Sequence, residues 1–149
     1  MSHSNIIEVS LFPISPEDFM DESTIGATQP WFIGQVADYF QDDATRDGQL
    51  YLLLAESDRR NGWEIQADAN GEFIIVHSKE DYFRPAWEYF KKQMESTVSL
   101  EKFMSYRGED DKTGLYVYAD GELMTFAEFV RGCVVGEPYY IGGVLDYHS

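Results

Sequence analysis

Alternating apolar and polar side chains predict a β-hairpin near the middle of the chain. Residues 63–68 (WEIQAD) alternate with a period of two, which is the pattern of a half-buried strand. An Asn-Gly pair at residues 70–71 favours a tight turn, and residues 72–77 (EFIIVH) supply the second strand. Runs rich in apolar and β-branched residues predict further strands at 5–12, 50–56, 115–119, 122–124 and 136–149.

Apolar residues at helical spacing predict a first main helix over residues 30–43. Proline at position 30 favours a helix start, and the apolar positions that follow recur every three or four residues. Trp31, Phe32 and Tyr39 broaden this stripe, so the helix is expected to be well buried.

Two further main helices are indicated by a proline and by a capping pattern. The second helix begins near Pro85, because a proline in a helix interior removes a backbone donor, and residues 78–84 form a turn or a short helical segment before it. The third helix follows Thr125, which forms a capping box with Glu128. Shorter helical pieces are predicted at residues 15–23 and 99–106.

These elements predict a single α+β domain over residues 1–149. The chain is long enough for a substantial core and shows neither an internal repeat nor a linker. We expect an antiparallel sheet of five or six strands, packed on one face by the three main helices. The pair Gly142-Gly143 predicts a bulge or kink in the last strand.

The net charge of the chain restricts its possible partners more than any motif does. The chain has 11 Lys and Arg against 27 Asp and Glu, a formal net charge of −16. Eight of the acids precede Arg46, which is the first basic residue. Direct binding to nucleic acid or to an anionic membrane is disfavoured, because both are polyanions, whereas a cationic partner is favoured.

Several features predict a protein of the reducing cytoplasm. The apolar runs are too short to cross a membrane, and the first residues (MSHSNIIEVS) lack the basic start and long apolar region of a secretory signal. A single cysteine, Cys133, excludes an internal disulfide.

The segment YADGELMTFAEFV, residues 118–130, resembles half of a calcium-binding loop but has the wrong spacing. With Gly121 at loop position six, positions one and three are Tyr116 and Tyr118, which cannot serve as ligands there. A register centred on Gly114 offers acids before the glycine, but a strand follows it in place of a helix. A solvated acidic loop is the preferred interpretation, and no metal or cofactor is predicted.

Catalytic chemistry has little support in the sequence. His77 is the histidine best placed to act as a fixed base, with Glu80 and Asp81 near it, while His3 and His148 lie close to the ends. Cys133, on the apolar side of a predicted helix, is typical of a core residue. Neither a phosphate-binding loop nor a serine nucleophile motif is present, so no catalytic residue is assigned.

The combination of acids and aromatic residues favours a binding protein. Tyrosines are preferred to Trp31 and Phe32 as contact residues, because a phenol tolerates water. The candidate partner-binding residues are Asp38, Asp42, Asp43, Glu109, Asp110, Asp111, Tyr118, Asp120, Glu122, Tyr139, Tyr140 and Tyr147.

The leading hypothesis is an acidic inhibitor of a basic protein, most specifically an immunity protein of bacteria or phage that occludes the cationic groove of a nuclease-type toxin. One alternative is a nucleic-acid mimic that blocks a restriction or other defence enzyme. A second is a small enzyme or ligand-binding protein with a pocket near His77. A third is a structural or regulatory subunit whose acidity only maintains solubility.

Overall fold

One mixed sheet with helices around it forms the protein, which confirms the predicted α+β class. The computed structural model describes residues 3–56, 62–105 and 114–149, with backbone alone at 55 and 56. The seven strands within these ranges are β1 His3–Ser10, β2 Tyr39–Phe40, β3 Trp63–Asp68, β4 Gly71–Val76, β5 Tyr116–Ala119, β6 Glu122–Thr125 and β7 Tyr139–His148. The helices are α1 Glu22–Thr28, α2 Phe32–Gln35, α3 Arg46–Glu56, α4 Lys79–Met94, α5 Leu100–Ser105 and α6 Phe126–Gly132, and a 3-10 turn covers Pro16–Asp18.

The two strands nearest the ends of the chain are central in the sheet. The strand order is β3-β4-β7-β1-β5-β6. Strands β4 and β2 pair with the same edge of β7, β4 at the start of β7 and β2 at its end. All pairs are antiparallel except β1 with β5. A parallel pair needs a crossover connection, and more than a hundred residues of chain separate these two strands.

Helices cover both faces of the sheet, whereas the sequence predicted them on one. Ile6 and Ile7 are neighbours on β1 and point to opposite faces, yet neither is exposed. Ile7 belongs to a cluster that includes core residues of α3, α4 and α6. Ile6 belongs to a second cluster, which includes core residues of α1 and α2. The central strands are therefore buried on both sides, and the chain forms three layers.

Residues 50–56 form most of helix α3, so the strand predicted there is wrong. Leu50 and Leu53 are buried, while the apolar residues between and beside them are exposed, as one face of a helix requires. The hydroxyl of Thr45 accepts a hydrogen bond from the Gly48 N–H at 3.1 Å, which is a helix-capping contact. Thr45 was therefore a sequence signal for the start of helix α3, although the apolar run that follows favoured a strand.

The long helix predicted over residues 30–43 is also wrong. Helix α2 lasts about one turn, because Gly34 adopts a φ of 97° and interrupts the helical backbone. The chain then extends, and Tyr39 and Phe40 pair with the end of β7 as strand β2. Tertiary pairing with β7 has replaced the helix that the apolar spacing favoured.

Helix α4 begins before Pro85 and continues through it, contrary to the predicted start. Ser78 caps the helix by accepting a hydrogen bond from the Asp81 N–H at 3.1 Å. The predicted capping box is confirmed at α6, where Thr125 accepts from the Glu128 N–H at 3.2 Å. The hairpin of β3 and β4 is likewise confirmed.

The predicted bulge in β7 is confirmed and has a structural cause. Ile7 pairs with Val144 but Val9 pairs with Ile141, so two glycines on β7 face Glu8 alone on β1. A Cβ atom on Gly142 would lie 2.2 Å from the Glu8 Oε1, and one on Gly143 would lie 2.2 Å from the Met20 carbonyl oxygen. Glycine is needed because the carboxylate and the Met20 backbone approach this closely.

Candidate functional site

Helices α1 and α2 belong to a uniformly acidic segment, residues 11–43, which we call the acidic layer. The segment 11–43 contains seven acids and no basic residue, and all seven are exposed. Helices α1 and α2 of this segment cover one face of the sheet. Among the residues that the structure describes, every basic side chain except Arg46 lies on α4, α5 or α6, which cover the other face. The charge asymmetry of the sequence is therefore also a spatial one, between the acidic layer and the helices α4, α5 and α6.

Three of the predicted contact residues lie on either side of the short edge strand β2. Asp38, Asp42 and Asp43 are all exposed. The Asp38 N–H donates to the His148 carbonyl at 2.7 Å, and the Gln41 N–H donates to the Asp146 carbonyl at 2.9 Å. These backbone bonds hold the acidic segment against the end of β7. Within the described parts of the chain, no strand covers the outer edge of β2.

The aromatic ring at this edge is Tyr39, which is 43% exposed and not part of a buried stripe as predicted. It stacks on the His148 ring with centroids 4.7 Å apart and an angle of 3° between the planes. We call the group of Asp38, Tyr39, Asp42, Asp43 and the adjacent His148 the β2 corner. It joins exposed carboxylates to an exposed planar ring.

Two other predicted acids lie at the opposite end of the sheet. Asp120 and Glu122 flank the tight turn between β5 and β6, and both are exposed. The Gly121 carbonyl of this turn accepts a hydrogen bond from Gln29, whose Oε1 in turn accepts one from the indole of Trp31. The predicted acids thus form two separate groups. Glu109, Asp110 and Asp111, in the loop interpreted as solvated and acidic, lie outside the described residues.

The structure corrects the choice of tyrosines as surface residues. Tyr118 and Tyr147 are buried in the cluster beneath α1 and α2, and the Tyr147 hydroxyl donates to the Gly114 carbonyl. A ring without solvent exposure offers no surface to a partner. Tyr139 and Tyr140 are half-buried, and a hydrogen bond to Asp68 raises the pKa of Tyr140.

Exposed Trp31 and Ile33 beside α2 are surface apolar residues that sequence reasoning assigned to the core. The signal was Gly34, because a helix interrupted there cannot bury the long stripe that the sequence predicted. Aromatic residues at a polar surface are typical of interface centres, so Trp31 is a candidate contact residue that the sequence did not select.

His77 contacts a carboxylate that the sequence did not indicate. Its Nε2 lies 3.3 Å from the Oε1 of Glu64, a buried side chain on β3. Glu80 and Asp81, the expected neighbours, are in the first turn of α4. Burial raises the pKa of the Cys133 thiol, which keeps it protonated at neutral pH and a poor nucleophile.

The described residues form several surface cavities, and His77 lines none of the three best defined. A groove of about 350 Å³ lies between the end of β1 and α6, with the exposed residues Leu11 and Phe12 among those that line it. A depression of about 560 Å³ is lined partly by Arg46 and Tyr140, and a third of about 270 Å³ lies beside Trp63. Each is an open surface feature.

In the depression, Arg46 is fully engaged in structural contacts. Its Nε donates to the Gly142 carbonyl at 2.5 Å and its Nη2 to the Ile141 carbonyl at 2.9 Å, on the part of the β7 edge between β4 and β2. Its guanidinium also lies 3.2 Å from Glu72. Arg46 thus satisfies a strand edge and does not present a free anion-binding group.

Across the ranges 3–56, 62–105 and 114–149, no group of three or more His, Cys, Asp or Glu side chains has the arrangement of a metal site. In the same ranges, no helix is long and apolar enough to span a membrane.

Comparison with protein-family models, with curated proteins and with solved structures finds no match for the chain.

Proposed function

We propose that this protein is an acidic inhibitor that binds and neutralises a basic protein. The observation that carries the proposal is the uniformly acidic layer, in which segment 11–43 has seven exposed acids and no base. Opposite charges attract over about 10 Å at ordinary ionic strength, so an acidic segment without bases orients a cationic partner before contact. Acids spread only for solubility would not need to be separated from the bases in this way.

The β2 corner supplies the contact groups for such a partner. Asp38, Asp42 and Asp43 would meet Lys or Arg side chains, while Tyr39 would supply ring area that excludes water from them. Exposed aromatic residues favour a specific protein partner over simple imitation of nucleic acid, which needs mainly spaced carboxylates. We therefore propose an immunity protein of a bacterium or phage, acting in the cytoplasm against a nuclease-type toxin by covering its cationic groove.

A pull-down from native lysate at low salt tests the proposal. The comparison uses the wild type, the variant Asp38→Asn/Asp42→Asn/Asp43→Asn, and the control variant Glu88→Gln/Glu101→Gln/Glu137→Gln. The control neutralises three exposed acids elsewhere on the surface and changes the net charge equally. We expect wild type and control to retain one basic protein. For the β2-corner variant we expect an association rate lower by about tenfold at low ionic strength, since steering raises rates by ten- to a thousandfold.

Four outcomes test this function against its alternatives. Equal losses for both triple variants would show that only net charge matters, and retention of a neutral or acidic protein would contradict the proposal. Retention of several unrelated DNA-binding proteins, each displaced by added duplex DNA, would favour a nucleic-acid mimic. Retention that hardly responds to salt would favour a structural subunit.

A further inference from the structure

Three aromatic rings form a cross-strand ladder at the β2 corner. His3 on β1 and Tyr39 on β2 both pair directly with His148 on β7, so the three side chains share one face of the sheet. The His3 and His148 ring centroids are 5.6 Å apart with an interplanar angle of 27°, and Tyr39 stacks on the other side of His148.

Asp146 lies beside this ladder, within ion-pair distance of two imidazoles, but its Oδ1 has no hydrogen bond. It precedes His148 by two residues on β7, so its side chain is on the same face. Only 10% of the side chain is exposed. The nearest imidazole nitrogens are His3 Nδ1, 3.4 Å from Oδ1, and His148 Nε2, 3.7 Å from Oδ2. Neither Asp146 Oδ1 nor His148 Nε2 has a hydrogen-bond partner.

This arrangement is costly unless a ligand completes it. A buried carboxylate oxygen without a donor loses the hydrogen bonds that water would supply, and nothing in the protein replaces them. One neighbouring side chain can be displaced: His3 is 60% exposed, whereas Asp146 is held by strand pairing on both sides of β7. Outward rotation of His3 would open Oδ1 to solvent.

We propose that Asp146 is the receptor for an arginine side chain of the basic partner. The guanidinium takes the place of the His3 imidazole, donates to Oδ1 and stacks on the ring of His148. Arginine fits better than lysine, because its planar fork donates to carboxylates and its face stacks on aromatic rings. The exposed acids of the β2 corner attract the cation to this position. The inference rests on the proposed function and names the chemistry of its partner.

A titration with a defined probe tests the assignment. N-acetylarginine amide is added to the protein at about pH 8, where ordinary imidazoles are neutral, and the His148 and Tyr39 resonances are followed by NMR. The lysine analogue and the citrulline analogue, which is neutral and nearly isosteric with arginine, are titrated in parallel. We expect saturable shifts with arginine and affinity at least about tenfold weaker with citrulline, since a charged donor is lost.

Two variants and a control sharpen the result. Asp146→Asn should abolish the arginine-specific shifts, and His3→Ala should tighten binding by several-fold, because it removes the displaced group. His77→Ala, which also removes an imidazole beside a carboxylate, should leave the affinity unchanged. Equal binding of citrulline, unchanged binding by Asp146→Asn, or weaker binding by His3→Ala would each overturn the assignment. If Asp146→Asn does not fold, the citrulline and His3→Ala comparisons still decide it.

Failure of this inference is distinguishable from failure of the proposed function. A basic partner that binds wild type and Asp146→Asn with equal affinity would leave the inhibitor proposal standing and remove the arginine receptor. Arginine binding at Asp146 together with a lysate that yields no basic protein would support the arginine receptor and contradict the inhibitor proposal.

Discussion

The carboxylate of Glu8 accepts a hydrogen bond from the backbone N–H of Gly143 at 3.0 Å, across the bulge between the two central strands. The same Oε1 accepts from the Met20 N–H at 2.8 Å. One side chain on β1 therefore satisfies the bulged strand and also fixes the segment that leads into α1. This contact connects the sheet to the acidic layer on which the proposed function depends.

Gly143→Ala is expected to destabilise the protein by about 1–3 kcal/mol, because the new Cβ would lie 2.2 Å from the Met20 carbonyl oxygen and the backbone must shift. Urea denaturation measures the change. Gly26→Ala is the matched control: a Cβ there meets no atom within 4 Å, and alanine in a helix should stabilise α1 by about 0.5–1 kcal/mol. Equal effects of the two substitutions would contradict the close approach at the bulge.

Glu8→Ala is expected to leave the N–H groups of Met20 and Gly143 without their acceptor, at a cost of about 1–3 kcal/mol for each buried donor. Glu8→Gln retains a side-chain oxygen and should cost less than about 1.5 kcal/mol. Hydrogen exchange should accelerate at both amides in Glu8→Ala. Slow exchange there in the alanine variant would show that Glu8 is not their essential acceptor.

Glu72 should contribute to a loss of stability in acid. The hydrogen bond from its own backbone N–H lowers the pKa of Glu72, burial opposes this, and Arg46 lowers the pKa further. Because the folded-state pKa is below the ordinary value of 4.5, the ionised group stabilises the fold fully above that pH, and this stability is lost as the pH falls through the folded pKa.

Glu72→Gln should therefore be less stable than the wild type at neutral pH, by under about 1 kcal/mol because the carboxylate is partly solvated, and the difference should vanish in strong acid. Urea titrations across this pH range measure it. Asp47→Asn, which removes the other, highly exposed carboxylate beside Arg46, is the matched charge control. A Glu72→Gln deficit that persists unchanged in acid would exclude the linkage.

Tyr147→Phe is expected to cost about 1–3 kcal/mol, because it removes the donor to the Gly114 carbonyl inside the core. Tyr140→Phe removes a hydroxyl bonded to Asp68 near solvent and should change stability little. Thermal unfolding of both variants gives the comparison. The opposite ranking would contradict the placement of Tyr147 in the core.

The elements that local chemistry specifies could be predicted from the sequence. The Asn-Gly hairpin, the Thr125–Glu128 capping box and the glycine bulge depend on residues a few positions apart, and all three were correct. The strand predicted at residues 50–56 and the helix predicted at 30–43 were wrong. A short apolar run can pack as a helix or as a strand, and its tertiary neighbours decide which one forms.

The candidate site, like the fold, could be predicted from the sequence only in part. The sequence by itself determined that the N-terminal part is acidic, that Asp38, Asp42 and Asp43 follow an aromatic stretch, and that the chain folds as α+β. Only the tertiary structure decided that Tyr147 is buried, that Tyr39 is exposed, and that His3, His148 and Asp146 meet at one corner. The physical reason is that burial and side-chain contact depend on the pairing of β1 with β7, which joins the two ends of the chain, and no local pattern encodes that pairing.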